Sequence, residues 1–93
     1  MHKKISKWTD GDSGRFLDGR FFRLANVRAP EHHQFGGEKA LRSAAAMTSR
    51  AGQIVNVKTH GIDHYSQLLI DLSNKDGSIN KRLQGKGYYN KGR

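Results

Sequence analysis

Acidic side chains gather in one stretch of a strongly basic chain. Lys and Arg number 17 against 8 Asp and Glu, which gives a formal net charge of +9. Four of the eight acids nevertheless fall between residues 10 and 31, namely Asp10, Asp12, Asp18 and Glu31, with Arg23 and Arg28 among them. Carboxylates are ligands for hard cations and acceptors of protons, and guanidinium groups bind phosphoryl oxygens. This stretch is therefore the first candidate for a functional site.

Composition limits the kind of protein that can carry such a site. A chain of 93 residues makes one small domain, expected to span 1–93. Only 34% of the residues are hydrophobic, and no apolar run approaches the roughly 20 residues of a membrane span. The basic start, Met1 to Lys4, is not followed by the apolar stretch of a signal peptide, so we expect a cytoplasmic protein. The absence of cysteine excludes disulfides and thiolate zinc sites.

The charge predicts a polyanionic partner, most simply nucleic acid. Basic and aromatic residues alternate in the C-terminal tail, about 85–93, where Lys86 lies close to Tyr88 and Tyr89. Lysine neutralises phosphates and tyrosine rings stack on bases, so these three residues are candidates for binding a single strand. Two alternatives stay open, a solvated basic face with no specific partner and a frayed, charged terminus.

Hydrophobic patterns and turn signals predict five strands and two helices. The strands are placed at 3–9, 15–17, 20–27, 53–59 and 66–72, and the helices at 37–51 and 79–84. Asp18-Gly19 predicts a two-residue hairpin in which both positions have positive φ. Gly52 is expected to cap the first helix, and Ser78 the second. His60 and His64 are expected in the loop between the last two strands.

This order of elements predicts an α+β fold that is mainly β. A five-stranded OB-type Greek-key barrel, with one central helix and a short C-terminal helix, has the same order, and such barrels commonly bind oligonucleotides. Alternation in the third strand puts Phe22 and Leu24 on the core face and Arg23 on the opposite face. The aromatic residues Trp8, Phe16, Phe21 and Phe22 are expected in the core, with one of this set exposed in the groove.

Five motifs in order add a resemblance that covers residues 8 to 89. They are Asp10-Gly11-Asp12-Ser13, the run from Phe22 to Glu31, the run from Phe35 to Ala40, Asp63-His64-Tyr65, and Ile79-Asn80 with Leu83 and Gly87. In these motifs the chain resembles the staphylococcal nuclease (thermonuclease) family. The resemblance implies an OB-fold endonuclease that hydrolyses phosphodiester bonds of DNA and RNA with Ca2+.

The resemblance also implies roles for individual residues. Asp12 falls on a metal ligand of the family, Arg23 on the arginine that grips the scissile phosphate, and Glu31 on the residue that positions or deprotonates the attacking water. Asp10 would support the turn that presents Asp12. Tyr65 and Gln67 fall next to the bound nucleic acid. Asp63 itself is more simply a turn residue than a catalytic one.

Two positions depart from the family pattern. Arg28 stands where the family has a metal-binding Asp, and Gln67 stands where it has a second phosphate-binding Arg. A guanidinium beside a divalent ion repels it, which places Ca2+ in doubt and leaves Mg2+ or Mn2+ as candidates. The metal could be held by Asp12, Glu31 and substrate phosphate, or Arg28 could make the phosphate contact that Gln67 cannot. A third possibility is a catalytically silent OB-fold module that binds nucleic acid or a protein.

Histidines allow one further hypothesis. His32, His33, His60 and His64 could together form an imidazole site for Mn2+, Zn2+ or Ni2+, although no helical His-x-x-x-His spacing supports it. The simpler interpretation is exposed loop histidines that add positive charge near nucleic acid. A histidine general acid for the leaving oxygen has no signal in the sequence. No small-molecule cofactor is expected, and the oligomeric state is left open.

Overall fold

The computed structural model describes residues 1–49 and 54–89. These residues form an α+β fold of six strands in one sheet and two helices. The strands are β1 (His2–Asp10), β2 (Ser13–Phe16), β3 (Phe21–Leu24), β4 (Ile54–Ile62), β5 (Leu68–Asn74) and β6 (Gly77–Ser78). The helices are α1 (Gly37–Ser49) and α2 (Ile79–Gly85). The predicted helix end at Ala51, its cap Gly52, the predicted strand start at Gln53 and tail residues 90–93 lie outside the described residues.

Strand pairing follows the order β3-β2-β1-β4-β5-β6. Each neighbouring pair in this order is antiparallel. β3 also pairs in parallel with β5, where Arg23 lies opposite Leu69. The short strand β6, which the sequence patterns did not predict, pairs with the end of β5.

The core lies between the sheet and the two helices. Phe22 and Leu24 are fully buried, which confirms the predicted inner face of β3. Alternation in β5 buries Leu68, Ile70 and Leu72 in the same way. α1 presents the small residues Ala40, Ala44 and Thr48 to this core, as the helical spacing predicted. Thr48 Oγ1 accepts a hydrogen bond from Trp8 Nε1 at 3.1 Å, which joins α1 to β1.

One of the four predicted core aromatics is not in the core. Trp8, Phe16 and Phe22 are buried, whereas the side chain of Phe21 is 53% exposed. Phe21 begins β3 and points away from Phe22, because successive side chains of a strand alternate between faces. It is the exposed aromatic that the OB-type hypothesis required from this set.

The turn between β2 and β3 is longer than predicted. Residues 17–20 separate the two strands, and only Gly19 has a positive φ, of 94°. The Asp18 side chain instead accepts a hydrogen bond from Arg20 N at 2.9 Å. A hydrogen bond from the Lys3 side chain, together with this one from Arg20 N, holds the pKa of Asp18 below its usual range. The prediction of two positive φ values was therefore wrong, because Asp18 stabilises the turn through its side chain.

All five predicted strands differ from the observed ones at their ends; β1, β2 and β5 differ by one or two residues at each end. The larger differences are in β3 and β4. β3 ends at Leu24, three residues before the predicted end, and Asn26 has a φ of 61° that leaves the extended conformation. β4 continues to Ile62, so His60 and Gly61 belong to a strand and not to a loop. A shift of register between Thr59 and Gly61 places the bulge of β4 at His60.

α2 agrees closely with the prediction. The Ser78 side chain accepts a hydrogen bond from Lys81 N at 3.2 Å, which caps the helix. Ile79 and Leu83 are fully buried, as their spacing predicted. In the part of the chain that the structure describes, neither helix is long and apolar enough to span a lipid bilayer.

Candidate phosphate-binding cleft

A cleft of about 1000 Å3 opens where β3, the segment after it, and the β4–β5 connection meet. Most of the residues singled out from the sequence line it. These are Asp10, Asp12, Arg23, Arg28, Glu31, Tyr65 and Gln67. The other lining residues include Phe21, Asn26, His60, Ile62, Asp63, His64 and Leu69. The fold therefore brings together side chains that are up to 59 positions apart in sequence, since Asp10 and Leu69 share this cleft.

Asp12 is presented by the tight connection between β1 and β2. A Cβ on Gly11 would lie 2.7 Å from the Cβ of Ala40 and 2.9 Å from that of Ala29, so only glycine lets the connection pack under α1. The Asp12 carbonyl accepts from Leu24 N at 2.8 Å, and Asp12 Oδ2 accepts from Ala29 N at 3.2 Å. One backbone N–H thus holds the main chain of Asp12, and another holds its carboxylate.

Burial governs the acid strength of Asp12. Desolvation raises the pKa of its carboxyl above the usual range. The N–H of Ala29 and the positive charge of Arg23 lower the pKa, and the negative charge of Asp10 raises it, so the net shift is upward. Asp12 is thus a partly desolvated carboxylate whose ionised form gains from any cation that approaches it.

Asp10 ties the loop after Pro30 to the β1–β2 connection. Its Oδ1 accepts from His32 N at 2.7 Å and lies 3.1 Å from His32 Nδ1. Its Oδ2 accepts from Ser13 Oγ at 3.3 Å. Both oxygens are therefore used within the protein, and this arrangement agrees with the supporting role that the resemblance implied.

Glu31 projects from a tight turn into solvent within the cleft. Its backbone N–H donates to Gln34 Oε1 at 2.9 Å, and its carbonyl accepts from Gln34 N at 2.8 Å. A Cβ on Gly37 would lie 1.8 Å from this carbonyl, so the close packing requires glycine at the start of α1. The Glu31 side chain is 62% exposed, and its Oε2 lies 3.3 Å from His33 Nε2. Such a carboxylate can reach a water molecule.

Arg23 and Arg28 are the two arginines of the cleft. Arg23 lies half-buried on the outer face of β3, and Arg28 is exposed in the segment between β3 and α1. Among residues 1–49 and 54–89, four basic side chains lie within ion-pair distance of a carboxylate, in the pairs Lys3–Asp18, His32–Asp10, His33–Glu31 and His60–Asp71. Neither guanidinium takes part in any of them. Both can therefore bind an anion without giving up an ion pair inside the protein.

Asp63 holds together the β4–β5 connection, which lines another part of the cleft. Its Oδ1 accepts from Tyr65 N and from Gln67 N, each at 2.9 Å, which confirms it as a turn residue. Ser66 reaches a φ of 62° within this turn. The Tyr65 side chain is left 78% exposed, and Gln67 is half-buried beside the cleft.

Sequence reasoning did not identify the pair that His60 forms at the edge of the cleft. His60 Nε2 lies 2.7 Å from Asp71 Oδ2. The alternation of β5 does place Asp71 on the outer face, between the buried Ile70 and Leu72. The outer position of Asp71 was therefore indicated by the sequence. The bulge in β4 at His60 had no signal in the sequence.

The residues proposed from the tail lie elsewhere. Lys86 lines a separate groove beside Met47 and Arg82. Tyr88 is half-buried and packs against the core, and its carbonyl accepts from Arg28 N at 3.4 Å. Tyr89 is 55% exposed and is not among the cleft residues. The idea of a free tail is therefore wrong for Tyr88, because the core takes up its ring.

The donor set does not fit a preformed calcium site. Among residues 1–49 and 54–89, no three His, Asp or Glu side chains converge on a point that a metal ion could occupy. Asp10 uses both oxygens and Asp12 one within the protein, and Arg28 adds a positive charge to the same cleft. The same finding removes support for the imidazole metal site, since three of the histidines pair with carboxylates.

No protein-family model matches the chain, and no curated protein matches its sequence. The functional conclusion therefore depends on the chemistry of the cleft.

Proposed function

We propose that the protein hydrolyses phosphodiester bonds of DNA or RNA, as a nuclease of the staphylococcal type with an altered active site. The observation that carries this proposal is that Arg23, Arg28 and Glu31 line one cleft. Two guanidinium groups suit a phosphate, and a solvent-exposed carboxylate suits the activation of water. The net charge of +9 favours a polyanionic substrate.

The strand pairing supports an OB-type barrel as the scaffold. β1 pairs with β2 and β4, and β3 pairs with β2 and β5, so each of these two strands has a partner on both sides. Pairing of β4 with β5 links the two sets. α1 follows β3, as the central helix of the expected Greek-key order does. The cleft then occupies the outer face of the strands, where such folds bind oligonucleotides.

In this proposal the two arginines hold the phosphate and share its negative charge as it develops in the transition state. Arg28 makes the second contact, which Gln67 cannot provide because its amide carries no charge. Glu31 takes a proton from the attacking water. Asp12 lies close enough to Arg23 for the two charges to interact, and in this proposal it helps to position the Arg23 guanidinium. No step is assigned to a metal ion, because the carboxylates do not form a set that would hold calcium.

A cleavage assay tests the proposal. Purified protein is incubated with single- and double-stranded DNA and RNA in Ca2+, Mg2+, Mn2+ or EDTA. Glu31→Gln keeps the size of the side chain and removes the base, so we expect a loss of about 10²- to 10⁴-fold in rate. Glu38→Gln is the matched control, because Glu38 is exposed on the first turn of α1 and is not a cleft residue. Cleavage that Glu31→Gln does not reduce would overturn the proposal.

A catalytically silent module that binds nucleic acid is the second candidate. The observation that favours it is the lack of a three-ligand metal group among the described residues, in a fold whose relatives by resemblance use a metal. A silent module would give no cleavage in any metal or in EDTA. It would still bind oligonucleotides with an affinity that falls steeply with salt and on Arg23→Ala.

A further inference from the structure

His60 occupies a position in the cleft that the proposed hydrolysis leaves without a role. It lies at the bulge of β4, where the register shifts between Thr59 and Gly61. Its ring borders the same cleft as Arg23 and Glu31, and its side chain is 38% exposed. One ring nitrogen, Nε2, lies 2.7 Å from Asp71 Oδ2, which leaves Nδ1 for another partner.

Asp71 is itself held from the core. Its Oδ1 accepts from Asn80 Nδ2 at 3.0 Å, and Asn80 is only 3% exposed. The same amide nitrogen lies 2.9 Å from Ala25 O and 3.1 Å from Ile70 O, and Asn80 Oδ1 accepts from Leu72 N at 2.9 Å. The core thus holds the Asn80 amide in place, and the amide positions the Asp71 carboxylate, which is 43% exposed, through one hydrogen bond. The imidazole of His60 is in turn oriented by this carboxylate.

The other histidines in or near the cleft differ from His60 in this respect. His64 also lines the cleft, but it pairs with no carboxylate among residues 1–49 and 54–89. His32 pairs with Asp10, and His33 pairs with Glu31, whose carboxylate is already assigned to the attacking water. Their side chains are 61% and 64% exposed. Among these four histidines, His60 alone pairs with a carboxylate that has no other role in the hydrolysis and that accepts a hydrogen bond from a buried residue. A carboxylate that orients the ring is the usual support of a histidine acid or base.

We infer that His60 is the general acid that protonates the leaving oxygen of the phosphodiester, with Asp71 as its positioning residue. The inference rests on the proposed function. Histidine is the side chain most often used for such a transfer. Proton transfer from His60 also explains how the ester oxygen can leave in a cleft whose carboxylates do not form a calcium site.

The step balances without a further reactant. Glu31 takes a proton from water, and the water oxygen forms a bond to phosphorus. The bond between phosphorus and the leaving oxygen breaks, and that oxygen receives the proton of the His60 imidazolium. The products are a phosphate monoester and an alcohol. Transfer of a proton from Glu31 to His60 through solvent restores the starting state.

A comparison of two substrates tests the inference. One is a DNA oligonucleotide, whose leaving alkoxide needs a proton, and the other is a nucleotide p-nitrophenyl phosphodiester, whose p-nitrophenolate leaves without one. We expect His60→Gln to slow cleavage of the oligonucleotide by about 10²- to 10³-fold and that of the p-nitrophenyl ester by less than about threefold. Asp71→Asn should slow only cleavage of the oligonucleotide, by about tenfold, because the substitution removes the carboxylate charge beside His60 while the imidazole remains.

His2→Gln is the matched control, because His2 lies exposed on β1 and is not a cleft residue. Circular dichroism and thermal melting establish that each variant is folded. An equal loss on both substrates, or no loss on either, would overturn the role of His60 and leave the proposed hydrolysis standing. Failure of the wild-type protein to cleave either substrate would instead overturn the proposed function and this inference with it.

Discussion

Asn80 and the two arginines of the cleft are polar side chains in opposite environments. Asn80 is almost fully buried, and its amide bonds to the backbone of Ala25, Ile70 and Leu72. Arg23 and Arg28 form no ion pair within residues 1–49 and 54–89. A polar group whose bonds all lie inside the protein stabilises the fold. One whose charge stays unpaired at a cleft is available to a ligand.

The largest effect that we expect is on the Asn80 side of this comparison. Asn80→Ala removes the amide and leaves Leu72 N and two carbonyls without their partner, so the protein should lose about 3 kcal/mol of unfolding free energy. Urea unfolding followed by circular dichroism measures it. Asn56→Ala is the control, since Asn56 is exposed on β4 and should change stability by less than about 0.5 kcal/mol. A loss of less than about 1 kcal/mol at Asn80 would show that the buried bonds are not what holds these segments together.

Phe21→Ala tests the cleft side of the comparison, and we expect a smaller effect, on the affinity for single-stranded DNA. The exposed ring offers a surface on which a base can stack next to Arg23, and such stacking contributes about 1–3 kcal/mol per base. We expect single-stranded DNA to bind about five- to tenfold more weakly, with no change in stability. Fluorescence anisotropy at constant salt measures this affinity. Phe35→Ala is the control because Phe35 is fully exposed and is not a cleft residue. Equal losses in the two variants would exclude a specific stacking role for Phe21.

The smallest effect concerns Asp12. This residue lines the cleft, as the arginines do, and also accepts a hydrogen bond inside the protein, as Asn80 does. Burial raises its pKa above the usual 3.8, so its contribution to stability is fully present below that pH and is lost as pH rises through the raised pKa. Asparagine keeps an oxygen that can accept from Ala29 N but carries no charge. The stability of Asp12→Asn relative to the wild type should therefore increase between pH ~3 and ~7. Urea unfolding at several pH values measures the difference, and a decrease with pH would contradict the upward shift.

Local patterns were sufficient for the parts of the fold that depend on neighbours in sequence. Ser78, Ile79 and Leu83 form a capped amphipathic turn that needs no distant contact. Alternation predicted the buried faces of Phe22 and Leu24 for the same reason. The β2–β3 connection differed because a side-chain hydrogen bond of Asp18 replaced the expected backbone conformation.

Residue types and spacing alone predicted the candidate site only where it is continuous in the chain, and the family resemblance added Tyr65 and Gln67. The stretch from Asp10 to Glu31 closes on itself, since Ser13 pairs with Arg23 across β2 and β3. The contact of His60 with Asp71 depends on a bulge in β4, and the orientation of Asp71 depends on Asn80 in a different element. Such contacts join residues whose spacing has no period, so no sequence pattern indicates them.

The attachment of Asn80 and Tyr88 to the segment after β3 determines when the cleft can form during synthesis. Asn80 bonds to Ala25 O, 55 positions earlier, and the Tyr88 carbonyl accepts from Arg28 N. A ribosome releases the amino-terminal strands first, so Arg28 and Glu31 emerge long before the residues that anchor them. When synthesis has reached His60, the nascent chain contains every residue that is proposed to react. These residues are not yet held in the positions that the cleft requires. We therefore expect the proposed activity to begin only after α2 has left the exit tunnel and docked.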